Sequence, residues 1–259
     1  MKRSARARFL LLLTASLSLM WACDQGSRAP SESAYRPKVV FVLFDLSAST
    51  EPKDTRARYL QGFQKVMDGL QPGDWIAADA ITDNPLARST FPINEALIAP
   101  YNPLVDNPLT HQGKLKKQKE EIFAKASEMV LHQKEKFTRT KILDSLLLAE
   151  RVFSTYPRDR EALVLFSDMI EESEHYNFTQ EPLTPQRIAA IISTEKGHQR
   201  LPDLKGVQVY VAGAASGTYR RMTSDRLQQI ENFWREYFKA CGAEVRKERY
   251  GSALLEAPK

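Results

Sequence analysis

A chain of 259 residues with a 42% hydrophobic fraction, 11 Gly and 14 Pro can bury one or two cores, which excludes collagen-like and low-complexity chains. Two Cys are too few for a disulfide-stapled scaffold. Nor does the formal charge of +5 point to nucleic acid: Lys2, Arg3, Arg6 and Arg8 precede the first acid, Asp24, and without those four the 37 Lys and Arg against 32 Asp and Glu leave only +1.

Residues 1–22 read as a secretory signal peptide. A basic start ending at Arg8 leads into the apolar run FLLLLTASLSLMW, from Phe9 to Trp21, and Ala22 stands just before Cys23. The run is short of the roughly 20 residues that span a bilayer, so cleavage is expected over an uncleaved anchor. Leu19 to Cys23 resembles a bacterial lipobox, in which a small residue precedes a Cys that is acylated on sulfur and becomes the new N-terminus. The competing reading is a plain signal peptide with a Cys nearby. Under the lipobox reading Cys23 is the lipidation site, and Asp24 implies retention on the periplasmic face of the inner membrane. Cys241 is then left alone, and is expected as a small buried residue at a helix end. Residues 23–37 are rich in Ser, Pro and charge and predict a flexible tether, followed by a folded domain over 38–250 and a C-terminal tail over 251–259.

Along the domain, short apolar runs alternate with stretches of 3.6-residue period. The runs are Val39 to Phe44, Trp75 to Ile81, Ala162 to Phe166, Val207 to Ala212 and a polar last one, Ala243 to Lys247. Tyr59, Phe63, Val66, Met67 and Leu70 mark one helix face; Ile142 to Phe153 and Leu227 to Phe238 mark two more. Thr184 and Pro185 fit the start of a helix carrying Ile188, Ile191 and Ile192. This alternation predicts an α/β fold, a doubly wound and mainly parallel sheet flanked by helices. An insertion over about 94–137 interrupts it. Residues 91–108 read as loop after a short edge strand near 88–93, and Lys114 to Lys136 reads as a charged surface helix docked through Ile122, Phe123, Ala126, Met129 and Val130. Its Lys114, Lys116, Lys117 and Lys119 could meet phosphate or anionic lipid, but a solvated face is the expectation.

Parallel sheets present functional groups at the carboxyl ends of their strands. After the first run stand Asp45, Ser47 and Ser49; after the third stand Ser167 and Asp168; Thr138 and Thr140 precede the helix that begins near Lys141. Converging at one sheet end, these side chains make an all-oxygen set suited to a hard divalent cation. Two carboxylates at most balance a 2+ ion, and the neutral hydroxyls leave room in its shell for water or an outside oxygen.

Here the sequence resembles the von Willebrand factor type A (vWA) domain with its metal-ion-dependent adhesion site (MIDAS). The family's Asp-x-Ser-x-Ser stands at Asp45, Ser47 and Ser49; its threonine is matched by Thr140, with Thr138 as competitor; its later aspartate is matched by Asp168. The resemblance implies a Mg2+ ion (or Mn2+ or Ca2+) at Asp45, Ser47, Ser49, Thr140 and Asp168, and capture of a protein partner that presents a carboxylate. The expectation is therefore a binding protein, anchored to the membrane through lipid, and not an enzyme. The rivals are an assembly subunit of an envelope complex whose metal never leaves, and a metal-dependent phosphohydrolase of the haloacid dehalogenase type. The latter needs a second carboxylate two residues after the first, where this chain has Ser47. His175, after Glu171, Glu172 and Glu174, is expected as solvated loop near the mouth of the site.

Overall fold

The computed structural model describes residues 35–50, 53–87, 89–132, 137–214 and 222–259, apart from the side chains of Ser49 and Lys53. The apolar run from Phe9 to Trp21, Cys23 and Asp24 lie outside them. The folded unit begins at Arg36 and continues to Lys259.

Its centre is β1 (Lys38–Asp45), a run of Val, Phe and Leu with no polar alternation and buried along its whole length. Such a strand is stable only with both faces covered. Parallel neighbours flank it: β2 (Trp75–Ile81) on one side and β4 (Arg160–Phe166) on the other. Beyond β4 come β5 (Gln208–Ala212) and the two-residue β6 (Tyr250–Gly251), both parallel, while β3 (Ile93–Ala96) closes the opposite edge antiparallel to β2. The order is β3-β2-β1-β4-β5-β6.

Alternate residues of β1 feed two cores. Val39, Phe41 and Leu43 meet α3 (Ile142–Thr155), α4 (Pro185–Gly197) and α5 (Ser224–Ala240); Val40, Val42 and Phe44 meet α1 (Lys53–Gly69) and α2 (Pro108–Leu131). The fold class is thus as expected: six mostly parallel strands between two helical layers, counted among the described residues.

Three expectations need correction. The edge strand lies at Ile93–Ala96, later than expected, because Asn94 on it accepts from the Trp75 indole (2.8 Å) and donates to the Tyr156 hydroxyl (3.0 Å). The docked helix of the 94–137 insertion starts at Pro108, since Asn107 caps it through the amides of Leu109 and Thr110; Gln133 to Lys136 lie outside the described residues. Residues 243–247 form no strand. Glu244 makes a single bridge to Gln208, Lys247–Arg249 form a 3-10 turn, and the last strand is Tyr250–Gly251 beside Val211 and Ala212. The expected tail over 251–259 is packed as well. Leu254 completes the core under α1, and the buried Lys38 ammonium donates to Gly69 O and Pro258 O, acceptors that an ammonium taken out of water requires.

Two glycines test this packing. A Cβ on Gly62 of α1 would lie 2.4 Å from the Phe166 ring, whereas a Cβ on Gly113 of α2 meets nothing within 4 Å. Gly62→Ala is expected to destabilise by about 1–3 kcal/mol through overpacking. Gly113→Ala should stabilise by about 1 kcal/mol through helix propensity. Urea unfolding of both variants checks the pair.

Candidate metal centre

Strand order reverses between β1 and β4: from β1 the chain steps outward to β2 and β3, then returns to the other side of β1. In open α/β sheets the crevice outside the strands' carboxyl ends at such a switch point is where ligands bind. Asp45 ends β1 there. Phe44 pairs with Phe166, so the register sets Asp45 beside Ser167, the first residue after β4.

The Asp45 carboxylate is fully buried (0% exposed). Its Oδ1 accepts from the Ser47 amide (3.0 Å) and its Oδ2 from the Ser167 hydroxyl (2.7 Å). The turn that follows is tied by the Thr50 hydroxyl, which donates to Asp45 O (2.7 Å) and Ser47 O (3.0 Å). Ser47 itself is buried and bridges to Phe137. Three residues on, Thr140 is buried and exchanges backbone hydrogen bonds with Glu172 in both directions at 3.0 Å. The neighbours of Thr140 are fastened too: Arg139 and Lys141 both pair with Glu174.

Asp168, also fully buried, accepts at Oδ1 from the Ile170 amide (3.1 Å). Next to it Met169 takes a left-handed backbone, φ 63°, which costs a non-Gly residue about 1–3 kcal/mol. Two contacts hold it there. The Ser167 hydroxyl accepts from the Met169 amide (2.8 Å), and the Trp234 indole donates to Met169 O (2.7 Å).

Asp45, Ser47, Thr140 and Asp168 therefore stand on segments that meet at one sheet edge. Ser49 lies in the 3-10 turn Ala48–Thr50, with its side chain outside the described residues. Thr138 is exposed and donates to Asp83 Oδ2 (3.3 Å), whose other oxygen accepts from the Arg139 amide, so Thr138 and Thr140 face different surroundings. His175 is exposed, as expected of a solvated loop residue. Cys241 is buried at the end of α5 and burial pushes its thiol up to about 12, in keeping with a structural role.

Burial raises the Asp45 pKa above the usual carboxylate range, against the opposing pull of Ser47, Ser167 and the Arg56 charge. The Arg56 guanidinium donates through its terminal nitrogens to Val130 O and Leu46 O. A buried carboxylate whose nearest acting cation hydrogen-bonds to backbone carbonyls favours a positive ion beside it. Among the described residues no group of three or more His, Cys, Asp or Glu is placed to hold a metal, so an ion here would draw on hydroxyls beside Asp45 and Asp168. That oxygen-only chemistry fits Mg2+, Mn2+ or Ca2+.

Two roles were not legible in the sequence. Ser167 supports both Asp45 and Met169; its hydroxyl at a strand end is a signal of the same kind as Ser47. Glu171 left no local signal. It is buried, and its carboxylate accepts from the amides of Ile142 (2.7 Å) and Leu143 (3.0 Å), capping α3, whose own N-cap residue Lys141 makes no side-chain cap.

No family model matches the chain, and no curated protein does. Among solved structures it is similar to a von Willebrand factor type A protein from Catenulispora acidiphila, at 18% identity and a TM-score of 0.40 over 81% of this chain and 44% of that one. It is also similar to the PilB minor pilin from Streptococcus sanguinis (11%, TM-score 0.41, 81% and 62%) and to the pilus adhesin SpaC from Lactobacillus rhamnosus GG (12%, TM-score 0.44, 85% and 28%). The chain spans less than two thirds of the length of each.

Desolvation pushes the Glu171 carboxyl up to about 8, although Leu143, Ser173 and Ile142 pull it down. As pH rises from about 4.5 to about 8 the unfolded chain ionises here while the folded one stays protonated, so stability falls across that window. In chelator, Glu171→Gln keeps the acceptor without the ionisation. Its melting temperature is expected to exceed that of the parent at pH 8 and to fall less steeply from pH 5; parallel slopes for the two chains would refute the linkage.

Proposed function

We propose that this is an exported, lipid-anchored binding protein of the vWA kind, which holds a divalent cation at Asp45, Ser47, Ser49, Thr140 and Asp168 and captures an acidic group of a protein partner. The observation that carries the reading is the meeting of a buried Asp45, Ser47, the Thr140 segment and Asp168 at the β1/β4 switch point. Once bound, Mg2+ or a similar ion supplies a Lewis-acidic centre for an incoming carboxylate. The chain's own part is positional. Ser167 and the Ser47 amide orient the Asp45 carboxylate, Glu172 and Glu174 hold the Thr140 segment, and Trp234 fixes the backbone beside Asp168.

A second reading, an assembly subunit whose ion never leaves, is favoured by the full burial of Asp45 and Asp168. Slow exchange of bound Mn2+ against Mg2+ would mark that case. A phosphohydrolase reading lacks its general acid, since Ser47 occupies the position and its amide and hydroxyl serve Asp45.

Ligand binding to the native state stabilises it by about 2.7 kcal/mol at a hundredfold excess over Kd. Millimolar Mg2+ or Mn2+ is thus expected to raise the melting temperature of the chelator-treated chain, and Asp45→Ala to abolish the rise. Thr140→Ala and Asp168→Asn should reduce it while circular dichroism stays normal. A full metal response in Asp45→Ala would show the ion to lie elsewhere.

The anchor is tested separately. Wild type should fractionate with membranes and carry the mass of an acyl-modified Cys23, and Cys23→Ser should be soluble or uncleaved. Identical unacylated masses for the two chains would remove the lipid anchor from the reading.

A further inference from the structure

The sheet edge opposite the candidate site carries an apolar feature that the metal site does not use. After β3 the chain crosses below the start of β2, where Gly73 N donates to Ile98 O (2.8 Å), and then turns at Asn102–Asp106. Asn102 and Asp106 direct their side chains at the turn's own backbone: Asn102 Oδ1 accepts from Leu104 N (3.0 Å) and Asp106 Oδ2 from Asn102 N (2.8 Å). The apex between them is apolar and in water. Leu104 is 89% exposed and Val105 78%, and Leu109 in the first turn of α2 is 80% exposed. Soluble surfaces carry single exposed Leu or Val residues without consequence, but three within six residues on a hydrogen-bonded turn form a patch.

The place of the patch says what covers it. Pro37, where the chain enters the folded unit, and Pro100, where it enters this turn, each come within 3.4 Å of a Cβ built on Gly73. The end of the N-terminal segment and the apolar turn therefore share one edge, the amino ends of the parallel strands. The first ten residues of α2, Pro108 to Lys117, bear Lys114, Lys116 and Lys117 and no acid. Lys116 and Lys117 pair with exposed Glu120 and Glu121, contacts of little strength in water. Apolar side chains at an apex with lysines behind them match the boundary between acyl chains and anionic headgroups.

We infer that Leu104, Val105 and Leu109 form a lipid-contacting tip that seats the folded unit on the membrane surface, amino edge down, with Asp45 facing away. The inference rests on the proposed membrane anchor and adds orientation to it. The roughly 15 residues from Cys23 to the folded unit can span at most about 50 Å, a limit on distance that does not set an orientation. The tip supplies the second contact that does.

The test uses the full chain reconstituted into vesicles of phosphatidylglycerol and phosphatidylethanolamine containing a spin-labelled quencher lipid. Leu104→Trp places an indole on the tip. Leu86→Trp places one in the 3-10 turn after the carboxyl end of β2, on the far edge. The parent chain supplies the background from its native indoles. The emission added by Leu104→Trp should shift to the blue and lose most of its intensity to the quencher, and that added by Leu86→Trp should do neither. Quenching of both, or of neither while the chain floats with the vesicles, overturns the tip and leaves the anchor standing. A chain that does not float overturns the anchor and the tip with it. A blue shift of Leu104→Trp without vesicles, rising with protein concentration, would assign the patch to a protein interface and overturn the lipid assignment.

Discussion

A carboxylate ends a strand that has no exposed residue, and much of the carboxyl edge of the sheet is arranged around that fact. Taking Asp45 out of water without compensation would cost several kcal/mol, so its oxygens must be met by donors from the protein. The Ser47 amide meets one, which bends the chain into the turn closed by Thr50, and the Ser167 hydroxyl meets the other, which ties the end of β1 to the end of β4. Ser167 in turn accepts from Met169, whose left-handed backbone is fastened to Trp234 in α5. A single buried charge thus links the central strand to the outer helical layer through three hydrogen bonds in series.

The excursion between β4 and α4 is held by a second polar network. Glu171 caps α3 from outside that helix. Tyr176 donates to Glu195 (2.7 Å), Glu195 accepts from Arg200 (3.1 Å), and Arg200 pairs with Asp144 of α3. Buried networks of this kind are worth most when every member is satisfied, and they specify one arrangement of the chain. Here the arrangement selected keeps the Thr140 and Asp168 segments side by side, with Thr140 bound to Glu172 across the gap. The mouth of the candidate site is accordingly built from loops with defined partners.

The two edges of the sheet differ in chemistry. The carboxyl edge gathers buried oxygens; the amino edge gathers the chain entry at Pro37, the packed C-terminal residues around Pro258 and the apolar turn at Leu104 and Val105. Parallel strands make this division possible, because every strand end of one kind lies on the same side. On the proposed reading of an anchored binding protein, a surface contact at one edge would leave the other open.

The sequence by itself determined the layer plan and the place of Asp45 and Ser47 at the end of the first strand. Uninterrupted β-branched and aromatic runs such as VVFVLF favour a doubly covered strand, the period of Tyr59, Phe63, Val66 and Met67 favours a helix packed on one face, and Asp45 with Ser47 stands where that strand ends. What it left open were relations between residues far apart in the chain. Glu171 caps a helix 29 positions earlier in the sequence, and Ser167 meets a carboxylate 122 positions away; neither pairing can be read from local sequence. The last strand was misplaced for the same reason. Residues 243–247 have as much strand character as Tyr250–Gly251, and only the reach of the chain after Gly242, with Leu254 filling the core under α1, decides which pair joins β5. Exposure was likewise decided by tertiary structure: Leu104 and Val105 are apolar residues in a segment read as loop, and they reach solvent on a turn closed by Asn102 and Asp106.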